Sequence, residues 1–360
     1  MRRQTSAITA LLACLSLSLP ATAGGGANPA VEAAAARLLE QRMENTRPED
    51  LKLLKSVQGK EIIVVRGSMD HIEDVLRAAG IRHTVVSPEQ VAGLDLNARQ
   101  IVMVNCPGNM PQGSVTRLER FVRAGGLLYT TDWALLNLVQ KAFPGTIKYS
   151  GRPTGDHMTP VVVKKRHGNL MSDLLLREGT KPQWWLEGSS YPIEIVDKRR
   201  VEVLAESEQM RQLYGSAPVV ARFRWEDGEV IHVVSHFYRQ VSTQGPQVAS
   251  GNAIDDVGGL SDADKAAYKA SAGAGVSMSE VESSYAFQQM TSNIVVGKQR
   301  RNAELDKAYG WTAKDEVTVE GRRVKRGDRL KVLEKKGTKT RVRDDRGNEA
   351  WIDEAELTAR

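Results

Sequence analysis

Glu61-Ile62-Ile63-Val64-Val65-Arg66-Gly67 is the stretch on which the fold turns. Four consecutive β-branched residues without polar alternation are what a strand covered on both faces requires. Gly67 closes the run. A helix over 71–79, ended by Gly80, follows, and then a strand, His83-Thr84-Val85-Val86. A third strand, Gln100-Ile101-Val102-Met103-Val104, stops at Asn105-Cys106-Pro107-Gly108. Ser114 stands where it can cap a helix running to Ala124, which Gly125-Gly126 terminates. A fourth strand spans 127–131, and a helix 133–143 comes directly after it. Strands alternating with helices predict an α/β fold with a doubly wound, mostly parallel sheet of the flavodoxin-like kind.

On the upstream side, 24–60 reads as a helical segment, with Pro48 in the first turn of its second helix. Downstream, the alternation loosens. Strands are expected at 159–164, 193–196 and 201–204, and a helix at 169–176. A hairpin is expected over 219–235, turning at Glu226-Asp227-Gly228. Residues 240–280 are rich in Gly, Ser, Ala and Asp and read as a flexible insertion. A helix over 281–301 completes an α/β domain of 61–309. Gly310 to Lys314 then reads as a linker. Residues 315–360 hold short β-type segments separated by polar turns, the pattern of a small all-β barrel. Trp351 falls in one of these segments, either in the barrel core or in a ligand groove.

Arg2-Arg3, an apolar stretch over 7–19 and Ala21-Thr22-Ala23 have the layout of a signal peptide over 1–23, so a periplasmic or secreted protein is expected. Leu11-Leu12-Ala13-Cys14 offers an alternative, a lipoprotein anchored through Cys14. No later segment is long and apolar enough to predict a transmembrane span. Cleavage after Ala23 leaves Cys106 as the single thiol, which excludes an internal disulfide. A formal charge of +6 over 360 residues is too mild for a nucleic-acid binder. An envelope protein or a cell-wall polymer is the expected partner. No pattern calls for a cofactor, and the histidines lack metal-ligand spacing.

Two stretches carry a resemblance to a known superfamily. One is Phe121-Val122-Arg123-Ala124-Gly125-Gly126-Leu127-Leu128-Tyr129-Thr130-Thr131-Asp132. The other is Pro218-Val219-Val220-Ala221, continued by Asp227-Gly228-Glu229-Val230-Ile231-His232-Val233-Val234-Ser235-His236-Phe237. With their order and spacing, residues 61–237 resemble the class I glutamine-amidotransferase-like superfamily. Within it they look like the non-catalytic branch of trehalose-utilisation-type, gliding-motility and intraflagellar-transport proteins. The resemblance implies that the corner after the Gly-Gly strand is where catalytic members place a nucleophilic Cys. This chain has Asp132-Trp133 there and no G-x-C-x-G, so glutaminase chemistry is not implied. Residues 317–357 resemble a bacterial SH3-type domain, on Gly327-Asp328-Arg329-Leu330-Lys331-Val332-Leu333, Gly347-Asn348-Glu349-Ala350-Trp351-Ile352 and Glu356-Leu357. That resemblance implies tethering to wall peptides or to a protein partner.

Ligand crevices in open α/β sheets lie at the carboxyl ends of the strands. Gly67, Asn105, Cys106, Asp132, Trp133 and His236 fall there and form the candidate ligand site. Each has a plainer role. Cys106 suits a small buried position before a turn, Asp132 a helix N-cap, and His236 a backbone-bonded structural histidine. His232 shares the strand face of His236, but two His do not make a metal site. Of Trp184-Trp185, only one ring can face a given surface. Arg322-Arg323, Lys325-Arg326 and Lys335-Lys336 form a basic, solvated surface. The leading reading is a non-catalytic binding and scaffold protein of the cell envelope. The alternative is a cysteine-dependent hydrolase using Cys106 and His236.

Overall fold

The structure, a computed structural model, describes residues 29–164, 168–177, 183–235, 250–271, 276–319, 322–326 and 328–359. The expected signal peptide and Cys14 lie outside these residues. In chain order the elements are α1 (Pro29–Thr46), α2 (Pro48–Ser56), β1 (Ile62–Val65), α3 (Ile72–Ala78), β2 (Thr84–Val86), β3 (Ile101–Val104), α4 (Gln112–Arg123) and β4 (Leu127–Thr131). A π-helical turn, Leu135–Val139, runs into α5 (Gln140–Ala142). Then come β5 (Ile147–Tyr149), β6 (His157–Pro160), β7 (Val162–Val163), β8 (Gln183–Leu186), β9 (Ile193–Ile195), β10 (Val201–Glu206), α6 (Glu208–Tyr214), β11 (Pro218–Trp225) and β12 (Gly228–Val233). Helices α7 (Ser250–Ala253), α8 (Asp262–Ser271) and α9 (Met278–Ala308) lead to β13 (Trp311–Ala313), β14 (Val317–Val319), β15 (Arg322–Val324), β16 (Leu330–Lys336), β17 (Lys339–Asp344), β18 (Glu349–Asp353) and β19 (Leu357–Ala359).

The central sheet has the order β2-β1-β3-β4-β12-β11-β10-β7. Strands β2, β1, β3, β4 and β12 are parallel, and β11, β10 and β7 run antiparallel. All four residues of β1 and of β3 are buried, as continuous apolar runs require. Helices cover both faces. Phe143, after α5, packs edge-on against Phe223 and Trp225 of β11. Glu229 of β12, on the other face, pairs with Arg301 of α9. The α/β class is therefore observed, with one mixed sheet between helical layers.

Helix α9 is longer than expected. A capping box of Ser277 and Glu280 starts it, and Lys298, two-thirds of the way along it, is 1% exposed. The Lys298 amine donates to the carbonyls of Ala98 and Gly125, just before β3 and β4. Burial holds its pKa well below the ordinary lysine value. Ser114 is buried inside α4 and donates to the Pro88 carbonyl, so it ties the helix to the preceding loop and does not cap it. Part of the expected flexible insertion lies outside the described residues. The rest carries α7 and α8, with Tyr268 of α8 buried at 1%.

The small all-β unit is a five-stranded antiparallel sheet, β18-β17-β16-β13-β19, with the hairpin β14-β15 beside it. Its first strand corrects the linker expectation. Trp311–Ala313 pairs with Leu357–Ala359, and Thr312 and Ala313 are buried. The unit is docked on the amino ends of β3, β4 and β12. Lys331 grips both oxygens of Asp227, at 2.6 and 2.7 Å. Arg343, 5% exposed, bonds Glu349, Asp227 and the Arg123 carbonyl. Asp345 O accepts from Ala98 N at 2.7 Å, and Arg346 pairs with Asp95 at 2.5 Å. Trp351 is 43% exposed and packs in no core, so its burial is not part of this unit's stability. Gly228 marks a tight spot in the same region. A Cβ there would lie 1.9 Å from the Val122 carbonyl, so the turn Glu226-Asp227 presses directly on the end of α4.

The docking predicts that the two units unfold together. Arg343→Met leaves two carboxylates without their buried guanidinium, and we expect a loss of about 3–5 kcal/mol. Calorimetry of the unsubstituted chain should show one transition. A separately melting C-terminal unit, indifferent to Arg343→Met, would contradict the coupling.

Candidate functional site

Strands β2 and β3 lie on opposite sides of β1, so the chain changes direction between the carboxyl ends of β1 and β3. Such a switch point opens a crevice. Gly67 sits at its edge with no room for a side chain, because a Cβ would meet the Cys106 carbonyl oxygen at 2.1 Å. The bare backbone lets Ser68 N and Met69 N both donate to that oxygen, at 3.1 and 3.2 Å. Asn105 is 1% exposed. Its Oδ1 accepts from Ile72 N at 3.2 Å, and its Nδ2 donates to Glu73 at 2.8 Å. It thus holds the first turn of α3 against the end of β3. Cys106 is 1% exposed and forms no disulfide, as the plainer reading of a small buried residue expects.

The far side of the crevice is the corner after β4. Asp132 has φ of 45°, in the left-handed region that an L-residue other than Gly adopts at a cost. It is 2% exposed. Its carboxylate accepts from Tyr191 N at 2.8 Å and from Ser190 Oγ at 3.1 Å. The N-cap expectation is thereby corrected. These bonds reach 58 and 59 residues along the chain, while the backbone carbonyl of Asp132 accepts from Leu135 N. Beside it, Thr131 donates to Asp70, itself 1% exposed, at 2.5 Å. Trp133 is half-buried and donates to the Ser189 carbonyl at 2.8 Å. Its ring stacks on Tyr191 (5.6 Å), which stacks on Tyr149 (4.0 Å). Gly67, Asn105, Cys106, Asp132 and Trp133 therefore all lie at the carboxyl ends of β1, β3 and β4.

His236 lies outside the described residues. His232 is fully buried, with Nδ1 2.8 Å from Thr130 Oγ1. Thr130 and His232 are register partners, as are Thr131 and Val233. Successive strand residues alternate faces, so His232 points away from the face on which Thr131 meets Asp70. Burial drives its pKa down to about 3. Among the described residues no group of three His, Cys, Asp or Glu could hold a metal ion. Trp184 is buried and Trp185 half-exposed, on opposite faces of β8. Lys325, Arg326, Lys335 and Lys336 are exposed as expected.

Sequence reasoning missed Asp70, Glu73, Thr131, Ser190 and the two tyrosines. A signal for Asp70 was present, a carboxylate five residues beyond a buried strand. Ser190 and Tyr191 gave none, since their partner is distant in sequence.

No family model and no curated protein matches the chain. Solved structures give only weak likenesses. A ThuA-like protein from Bacteroides uniformis is 12% identical, with 48% of this chain and 80% of that one covered, at a TM-score of 0.35. A cytoplasmic protein from Salmonella typhimurium is 10% identical over 52% of this chain and 91% of that one, at 0.34. A β-galactosidase from Rahnella is 17% identical over 49% of this chain, at 0.35, and the chain spans 28% of that protein's length. At these TM-scores none supports an argument about activity. No helix among the described residues is long and apolar enough to cross a membrane.

Two predictions follow from the buried groups. Asp132→Ala removes an acceptor from two buried donors and should cost about 2–3 kcal/mol in urea unfolding. Asp132→Asn, which keeps an oxygen and tolerates the left-handed region, should cost less. Equal losses would show that the corner does not depend on these bonds. His232 stays neutral when folded but gains a proton when unfolded below its ordinary pKa of 6.5. Stability from this group is complete above pH 6.5 and is lost as pH falls toward about 3. The slope approaches ~1.4 kcal/mol per pH unit. Unfolding curves of His232→Gln between pH 7 and 5 should lack this slope. An unchanged slope would assign it to other groups.

Proposed function

We propose that the chain is a non-catalytic binding and scaffold protein of the bacterial cell envelope, with its interaction crevice at the carboxyl ends of β1, β3 and β4. The observation that carries this reading is the state of Asp132. It occupies the strained corner after β4, and its carboxylate is engaged by Ser190 and Tyr191. A nucleophile at such a corner must be free to meet a base and a substrate. Asp132 serves instead as a strut between β4 and the segment carrying Tyr191.

The surroundings favour binding. Trp133, Tyr191 and Tyr149 form a stacked aromatic ladder, half-buried at the crevice wall. Partly exposed aromatic surface of this kind suits recognition of a flat or apolar group. The amidotransferase-like and SH3-type resemblances agree with this role, in which the C-terminal unit would attach the α/β domain to an envelope protein or to wall polymer. Export through residues 1–23 would deliver it there, soluble in the periplasm or outside the cell. The hydrolase alternative needs Cys106 as nucleophile, and its side chain is buried.

One mass-spectrometric experiment on protein recovered from cells tests both parts. The mature mass should correspond to a start at Gly24. Iodoacetamide at neutral pH should add to Cys106 slowly, and glutamine should not be turned over. Rapid alkylation with a midpoint well below about 8.5, together with hydrolysis abolished by Cys106→Ser, would establish the enzyme reading. A mass showing intact Met1 would remove the export proposal.

A further inference from the structure

Away from the crevice, the last third of α9 and the outer strands β10 and β11 enclose an open cleft of about 1190 Å³. Six basic residues line it, Lys164, Arg199, Arg200, Arg222, Arg224 and Arg301, against two carboxylates, Glu202 and Glu229. Both carboxylates are already matched. Glu202 faces Arg222 across the β10–β11 register, and Glu229 is held by Arg301, with Arg222 3.4 Å away. The remaining cations differ in how they are held. Lys164 pairs with Glu206 at 2.7 Å, and Arg200 lies over the Trp225 ring at 5.4 Å. Arg199 and Arg224 are exposed, Arg199 within electrostatic reach of Asp197 and Arg224 opposite the already engaged Glu229 in the β11–β12 register, and among the described residues neither closes a salt bridge.

We infer that this cleft is a docking groove for an extended acidic segment of a partner protein, independent of the crevice and of the role proposed for it. Three features select that occupant. Arg222 and Arg224 stand two residues apart on one strand face, the spacing at which an extended chain presents alternate side chains. Guanidinium groups receive carboxylates through forked hydrogen bonds, and Arg199 and Arg224 are available to do so. Glu202 and Glu229 remain in the floor, so the cleft repels an evenly dense run of negative charge. An extended chain with acidic side chains at alternate positions, uncharged residues between them, matches the spacing of Arg222 and Arg224. A phosphodiester polymer would bring charge at every unit, with repulsion from the carboxylates of the floor.

The probe is a fluorescein-labelled ten-residue peptide alternating glutamate and valine, titrated by anisotropy against the full chain. We expect saturable binding that weakens with added salt. Arg199→Glu combined with Arg224→Glu should weaken it about ten-fold or more, since two ion pairs become repulsions. Lys141→Glu, at an exposed position of α5, should leave it unchanged, and a glutamine–valine peptide should bind about ten-fold more weakly. Both arginines are exposed, so the double variant should keep the circular-dichroism spectrum. If it does not, Arg199→Gln with Arg224→Gln is read in its place. Three results would overturn the inference. These are peptide affinity indifferent to the double variant, equal affinity for the glutamine–valine peptide, or polyphosphate binding at an ionic strength where the acidic peptide does not bind.

Discussion

A carboxylate buried at a strained backbone corner has to be solvated by the protein itself, and Asp132 is such a group. Its two oxygens take up Ser190 Oγ and Tyr191 N. That single requirement fixes where the 189–191 segment crosses the sheet end. Tyr191 then sets the stack with Trp133 and Tyr149, and Trp133 in turn bonds Ser189. The wall of the crevice is thus assembled around one charge. The π-helical turn that follows belongs to the same arrangement, since such turns are widened helices often found beside functional sites.

A second buried charge-bearing group organises the other end of the sheet. Lys298 reaches two carbonyls at the starts of β3 and β4. Burial disfavours the charged form of this amine and lowers its pKa, and the two carbonyls take up its N–H donors in place of water. From the same end, Asp227 accepts Lys331 and Arg343 and so locks the C-terminal unit onto the hairpin of β11 and β12. The cations come from the small unit and the anion from the large one, and Arg343 divides its guanidinium between Glu349 of its own unit and Asp227.

The parallel half of the sheet was legible because its signal is local. Ile62 to Val65 and Ile101 to Val104 are uninterrupted apolar runs, and their helices are bounded by glycines and prolines nearby. The hairpin of β11 and β12 was legible for the same reason. What failed to show was long-range. Asp132 looked like a cap because the residues that bond its carboxylate lie 58 and 59 positions away. Trp311-Thr312-Ala313 looked like a linker because a strand of three residues exists only through its pairing with Leu357–Ala359. Helix α8 was lost in a composition of Ala, Lys and Asp, where Tyr268 alone marks the buried side. Strand-end reasoning reaches Gly67, Asn105, Cys106 and Asp132 because each lies at or just past the end of a strand, whereas the bonds of Asp70 and Ser190 need the three-dimensional neighbours.

The C-terminal unit and the crevice sit at opposite ends of the same strands. Asp227 and Ala98 anchor the unit before β12 and β3, while Asp132 and Cys106 lie just beyond β4 and β3. The consequence is mechanical. A pull between something held by the small unit and something held in the crevice would run lengthwise through β3, β4 and β12. These neighbours are hydrogen-bonded in parallel register. Their hydrogen bonds would then be loaded together in shear and would not peel apart one by one, which is the geometry in which a sheet best resists force.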